Sequence, residues 1–257
     1  MHLHAAIDPT RSAITEIAGD ALVALYAHGS LVTGSFDVNV SDFDLVAVLK
    51  RRPAMGLANR LEQMHRQLDK DHPEWKGRIE VIYVSASDLA HFRSRRAKIA
   101  VISPGEPFHI VEAGHEWILS WYSLQEDGLA LTGPPAATLI PTISFTEYLD
   151  AIRTHMQGFL GRIEARMTNG SQAYVVLTMC RGLYTCTLRS QPSKTQAADW
   201  MQSEFPEWSS LVRRALEWRQ SQWDPDAQGR FAPDPELRRF AVEISRRVVE
   251  LRRPARP

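Results

Sequence analysis

Three acidic side chains and a glycine–serine pair hold the reactive chemistry of this 257-residue sequence. Gly29-Ser30 closes the apolar run 21–27, eleven residues separate Ser30 from Asp42, and Ser41-Asp42-Phe43-Asp44 leads into the apolar run 45–49. On an extended strand, residues i and i+2 share a face, so Asp42 and Asp44 project together while Phe43 packs behind them. Two adjacent carboxylates repel unless positive charge lies between them. A hard divalent cation with oxygen ligands supplies it, and Mg²⁺ characteristically links carboxylates to substrate phosphates. Gly29 allows backbone to approach a phosphate closely, and Ser30 adds a hydroxyl. A third acid, Glu80, lies inside the apolar run 79–84, where a carboxylate is costly without a partner. Two readings stand for it. Either Glu80 ligates the metal or takes a proton from an attacking hydroxyl, or it sits at the solvent end of a strand, or pairs with Arg78 or with an arginine of the helical half.

The surrounding elements are strand–helix alternations. Runs 21–27, 45–49 and 79–84 are short and apolar, and β-branched residues favour strand in the last. Between the second and third, Leu57, Leu61, Met64 and Leu68 recur at helical spacing over 55–70. Runs 108–111 and 129–131 add rim strands on either side of a helix over 116–125. Residues 1–140 therefore read as one α/β domain, a mixed sheet with helices. After Pro141 the pattern is helical throughout, over 145–167, 171–188, 193–203, 209–223 and 235–251, with breaks at Asn169-Gly170, Gln191-Pro192, Pro206 and 225–235. Residues 141–257 read as an all-α bundle domain.

Composition narrows the partners. Thirty basic residues balance thirty acidic ones, so the electrostatic footprint of a nucleic-acid or membrane-surface binder is absent. Cys180 and Cys186 fall in one helical run, about 9 Å apart along its axis and on different faces, beyond disulfide reach. Free thiols fit a reducing compartment. The start Met1-His2-Leu3-His4 lacks the regions of a signal peptide, and the charge-free stretch 128–146 is broken by Pro134, Pro135 and Pro141. A cytoplasmic monomer is expected.

Gly29-Ser30, the spacer and Asp42-Phe43-Asp44 before an apolar strand resemble the signature of the polymerase-β-type nucleotidyltransferases. The stretch Val175-Val176-Leu177-Thr178-Met179-Cys180-Arg181-Gly182-Leu183-Tyr184, followed by Lys194-Thr195-Gln196-Ala197-Ala198-Asp199-Trp200, resembles a narrower group. These are the aminoglycoside adenylyltransferases that modify streptomycin and spectinomycin. The resemblance implies Mg²⁺, as two ions, held by Asp42, Asp44 and Glu80, with Glu80 as base. It also implies ATP phosphates on Arg181 and Lys194, and nucleotide contacts at Gly29, Ser30, Ser41 and Glu116, although the family has Asp at the last position. The residues agree in part: Arg181 interrupts an apolar helix, and a buried guanidinium needs an anion. Asp199 and Glu147 are the internal alternatives.

On the acceptor side the sequence departs from the family. Where acidic residues meet the cationic antibiotic, this chain has Gly170-Ser171-Gln172-Ala173. A Gly-Glu-Trp segment becomes Gly105-Glu106-Pro107-Phe108, and a nucleotide-facing tyrosine becomes Gln220, with Trp218 and Trp223 nearby. Losing carboxylates removes affinity for ammonium groups. The expected reaction is transfer of AMP from ATP to a hydroxyl of an aminoglycoside or aminocyclitol, with release of pyrophosphate. The alternatives are another small-molecule or protein hydroxyl, or a silent nucleotide- or drug-binding homologue. His28, beside Gly29, either reaches a phosphate or is a strand-end histidine satisfied by backbone.

Overall fold

The structure is a computed structural model that describes residues 4–103, 106–222 and 229–251. It divides into two compact units, Met1–Asp37 with Ser41–Ser144, and Val38–Val40 with Phe145–Pro257.

The first unit is built on a sheet of strand order β5-β4-β3-β2-β1-β6. The strands are β1 (Leu22–Ala27), β2 (Phe43–Leu49), β3 (Ile79–Ser85), β4 (Ala97–Ile102), β5 (His109–Ala113) and β6 (Leu129–Thr132). Only the central pair β2–β3 runs parallel, with Asp44 opposite Glu80 in register, and α2 (Met55–Asp71) makes the crossover that a parallel pair requires. Odd-numbered positions, including Leu25, Ala27, Phe43, Leu45, Val81 and Tyr83, form one core with Ile7 and Ile14 of α1 (His4–Ala18) and Leu61, Met64 and Leu68 of α2. Period-two alternation therefore turns Asp44 and Glu80 to the opposite face of the sheet. The short α3 (Ala86–Ala90) follows β3, and α4 (Ile118–Asp127) precedes β6.

In the second unit α6 (Asn169–Leu188) is buried nearly all round, at Val175, Val176, Met179, Cys180 and Leu183 among others. An apolar stripe on every side is what a central helix requires. It packs against α5 (Phe145–Gln157), α7 (Lys194–Glu204), α8 (Ser209–Gln220) and α9 (Leu237–Glu250). The helix expected over 145–167 is shorter than its apolar pattern. It gives way to a 3₁₀ segment at Gly158–Arg162, where two glycines weaken the helix, and Met167 then pairs with Phe231 in an isolated bridge. Gly182 lets α6 approach α5, because a Cβ there would collide with Met156 Sδ. Both cysteines are free and buried, and burial raises their thiols above the usual range. Among the described residues no helix is long and apolar enough to cross a membrane.

His65 of α2 is 2% exposed and shares a hydrogen bond of 2.7 Å between Nε2 and the Tyr83 hydroxyl. Burial lowers its pKa from 6.5 to about 4. The unfolded chain thus takes up this proton first, so the neutral ring's contribution is complete above about pH 6.5 and is lost as pH falls toward 4. Tm should drop over that window, and the His65 ring should titrate near pH 4 by NMR. A His65 ring that titrates near 6.5 would contradict this environment.

Candidate active site

The site begins with a turn that only glycine makes easily. His28 ends β1 in extended conformation and donates its backbone N–H to Asp44 O at 3.0 Å. Gly29 then takes φ +66 and opens a 3₁₀ turn, Gly29–Leu31, pinned by the buried Leu31. A Cβ at Gly29 would collide with Asp44 Oδ2, so the carboxylate lies directly against the bare glycine backbone. Among the described residues the Ser30 hydroxyl makes no side-chain hydrogen bond and stays available to an incoming oxygen. The His28 ring is held neutral by burial, which lowers its pKa to about 4 against the opposing charge of Asp127 at the end of α4. Burial and Glu126 raise the Asp127 carboxyl in turn.

Asp44 and Glu80 are register partners on parallel neighbours, and Asp42 lies two residues before Asp44; all three are half-buried. Register therefore sets one carboxylate beside another across the strand gap, about 4.8 Å wide. Among the described residues, no three His, Cys, Asp or Glu side chains converge as a set able to hold a metal ion by themselves.

Ser41 is 3% exposed and forms the hub of the loop that delivers Asp42. Its N–H donates to Asp37 O at 2.8 Å, and its Oγ accepts the Asp37 N–H at 3.0 Å. The hydroxyl thus braces the loop at the position where the family resemblance implies a nucleotide contact. The sequence offers Arg78 as a partner for Glu80. Arg78 donates instead to Ser41 O, from Nε at 3.1 Å and from Nη2 at 2.6 Å. An arginine set between Trp75-Lys76-Gly77 and an apolar strand was the available signal for such a role. Glu116 follows β5, three strands from β2, and is ion-paired with Arg96 at 2.8 Å.

In the second unit Arg181 is half-buried on α6 and donates Nε–H to Pro192 O at 3.2 Å. It makes no ion pair among the described residues, so neither Asp199 nor Glu147 takes its charge. Pro192 precedes Ser193, which caps α7 through a capping box, and Lys194 is the first helical residue. Arg181 is thus tied to the residue before the cap of a helix whose first residue is Lys194, and a helix N-terminus with cationic residues is suited to phosphate. At the start of α6, Thr168 caps by accepting the Ser171 N–H at 3.0 Å, and the buried Gln172 accepts the Asp234 N–H at 2.7 Å. The first turn of α6 carries no acid. Gln220 ends α8 exposed, and Gln222 donates to Val40 O at 2.8 Å. Gly105 and Trp223 lie outside the described residues.

Residues 138–246 match the sequence model of the aminoglycoside adenylyltransferase C-terminal domain. The fold is similar to that of a spectinomycin adenyltransferase, AAD(9), from Enterococcus faecialis, whose crystal structure was solved with ATP and spectinomycin. The two share 15% identity over 95% of this chain and 98% of that one, with a TM-score of 0.73, a likeness of fold.

Gly29→Ala should cost about 1–2 kcal/mol from the left-handed backbone alone, and it should displace the Asp44 carboxylate as well. A wild-type Tm in this variant would show that Gly29 is not held at positive φ against Asp44.

Proposed function

We propose that the chain is an aminoglycoside adenylyltransferase, a reading supported by the match of residues 138–246 to that family's C-terminal domain, and that it transfers AMP from ATP to a hydroxyl of an aminoglycoside or aminocyclitol. The observation that supports this most is the register of Asp44 against Glu80, with Asp42 two residues upstream and Asp44 seated on Gly29. On this reading an α/β nucleotidyltransferase domain spans 1–140 and a helical domain 141–257. The enzyme works as a cytoplasmic monomer on ATP and a small molecule, without nucleic acid.

The donors fit magnesium. They are carboxylate oxygens, and Mg²⁺ is commonly held by one or two carboxylates with substrate phosphates and water completing the shell. Asp42 and Asp44 would hold it, with Glu80 as further ligand or base. Bound Mg²⁺, two ions on this reading, supplies positive charge to the phosphates. The chain's own groups do the rest. Gly29 N–H and the Ser30 hydroxyl receive phosphate oxygens, and Arg181 and Lys194 neutralise the pyrophosphate portion of ATP. The acceptor hydroxyl attacks the α-phosphorus in line and passes its proton to Glu80, while the bond to the leaving pyrophosphate breaks. Ser41 shapes this site through its loop, and a nucleotide contact by Glu116 would require it to leave Arg96.

One observation favours a second acceptor class. The stretch where the family carries acids reads Gly170-Ser171-Gln172-Ala173; in it the Ser171 hydroxyl shares a hydrogen bond with Thr168 Oγ1, and Gln172 Oε1 accepts the Asp234 N–H. An acceptor with fewer ammonium groups than a typical aminoglycoside, or another small-molecule or protein hydroxyl, suits such a surface.

Pyrophosphate release should be measured with ATP and Mg²⁺ across streptomycin, spectinomycin and other aminoglycosides. At least one should stimulate it, and Asp42→Asn should abolish that release. Glu80→Gln should slow it by roughly 10²–10⁴-fold while ATP still binds. Near-normal turnover in Asp42→Asn would sink the two-aspartate assignment. Arg181→Ala should weaken ATP binding by calorimetry, and unchanged affinity would remove Arg181 from the nucleotide site.

A further inference from the structure

A buried arginine has to be explained by what it holds. Arg78 is 7% exposed and directly precedes β3, two residues before Glu80. Its guanidinium sends two N–H groups to one acceptor, Ser41 O, at 3.1 and 2.6 Å. Its own carbonyl accepts the Phe43 N–H at 2.8 Å. The side chain is walled by two rings, Trp75 at 5.1 Å and Phe43 at 5.8 Å from the guanidinium carbon, and those rings meet edge to face at 4.5 Å. Arg78 therefore grips the chain on both sides of Asp42, by side chain before it and by main chain after it. Burial lowers its pKa, while the charges of Asp42 and Asp37 oppose that shift, which places both carboxylates within its field.

This grip answers a problem in the design of the site. Asp42 lies one residue before β2 begins, at the end of the loop that leads into the strand, whereas Asp44 and Glu80 lie in the ladder itself. We infer that Arg78 is a positioning residue, which locks the Ser41–Phe43 segment to the start of β3 and thereby sets Asp42 relative to Glu80. The inference rests on the reading of Asp42, Asp44 and Glu80 as the reacting site. The guanidinium, bonded to the carbonyl that precedes Asp42, also brings positive charge to the segment that carries the aspartates. The fork matters as well as the charge: lysine keeps the charge but cannot present two parallel donors to one carbonyl.

The test uses Arg78→Lys and Arg78→Met in the full chain. Amide hydrogen exchange is measured without metal at Ser41 and Phe43, and kcat and the KM for ATP with Mg²⁺ in the pyrophosphate assay. In Arg78→Lys, exchange at both amides should rise by about tenfold or more while the other β2 and β3 amides keep their protection. kcat should fall by about tenfold, because misplacing a reacting group costs the transition state more than the ground state, and KM for ATP should stay within about twofold. Arg78→Met should exceed Arg78→Lys in both readouts. If it does not fold, the lysine variant decides. Wild-type exchange at Ser41 and Phe43 overturns the inference whatever kcat does, and so does raised exchange with unchanged kcat. A wild-type protein that releases no pyrophosphate, or an Asp42→Asn variant that turns over, overturns the functional reading instead, and the exchange measurement then still decides whether Arg78 holds the loop.

Discussion

Carboxylates repel at close range, and half-burial strengthens that repulsion by removing the water that screens it. This structure nonetheless brings Asp42, Asp44 and Glu80 to neighbouring positions at the start of β2 and β3. Much of the first unit can be understood as the framework that makes the juxtaposition tolerable. The parallel pairing of β2 and β3 dictates that Asp44 faces Glu80, and helix α2 exists in the chain where that pairing demands a crossover. Apolar burial of the odd-numbered face against α1 and α2 fixes the register, since a slip of one residue would drive both acids into the core.

Two features accommodate the acids. Gly29 leaves room for the Asp44 carboxylate, and Arg78 grips the chain on either side of Asp42. Neither is a substitute for a cation bound between the aspartates. They hold the carboxylates in place while leaving that role open. In the second unit the charge logic is reversed. Arg181 lies half-buried without an ion-pair partner among the described residues, and it is tied to the residue that introduces the α7 N-terminus and Lys194. An isolated cation in an apolar helix is costly, and an anionic ligand is its natural complement.

The strands nearest the chemistry were legible because their sequences are apolar and closely bounded. β1, β2 and β3 lie within a residue or two of the runs 21–27, 45–49 and 79–84. Helix α1 was not legible, since Pro9 interrupts a pattern otherwise carried by Ile7, Ile14 and Ala18. Strand β4 was also missed: Lys98 and the preceding arginines dilute its apolar content, although Ala97, Ile99 and Val101 are buried. At the site, the Asp-x-Asp pattern and Glu80 could be read from spacing, because period two is a local rule. The work of Ser41 and Arg78 could not be read that way. Their hydrogen bond joins residues 37 positions apart, and only the β2–β3 pairing brings them together. The start of α6 shows the reverse case, where the absence of acids was visible in the sequence but the hydrogen bonds made by Ser171 and Gln172 were not.

The central claim is that these three acids serve adenylyl transfer to a small-molecule hydroxyl. Mass spectrometry of spectinomycin and streptomycin, each incubated with the protein, ATP and Mg²⁺, tests it most directly. The account predicts a product carrying one adenylyl group, formed by the wild-type chain and absent with Asp42→Asn. Adenylylated product at equal yield from Asp42→Asn, or ATP bound by the wild-type chain with no adenylylated acceptor from any hydroxyl compound tried, would contradict it.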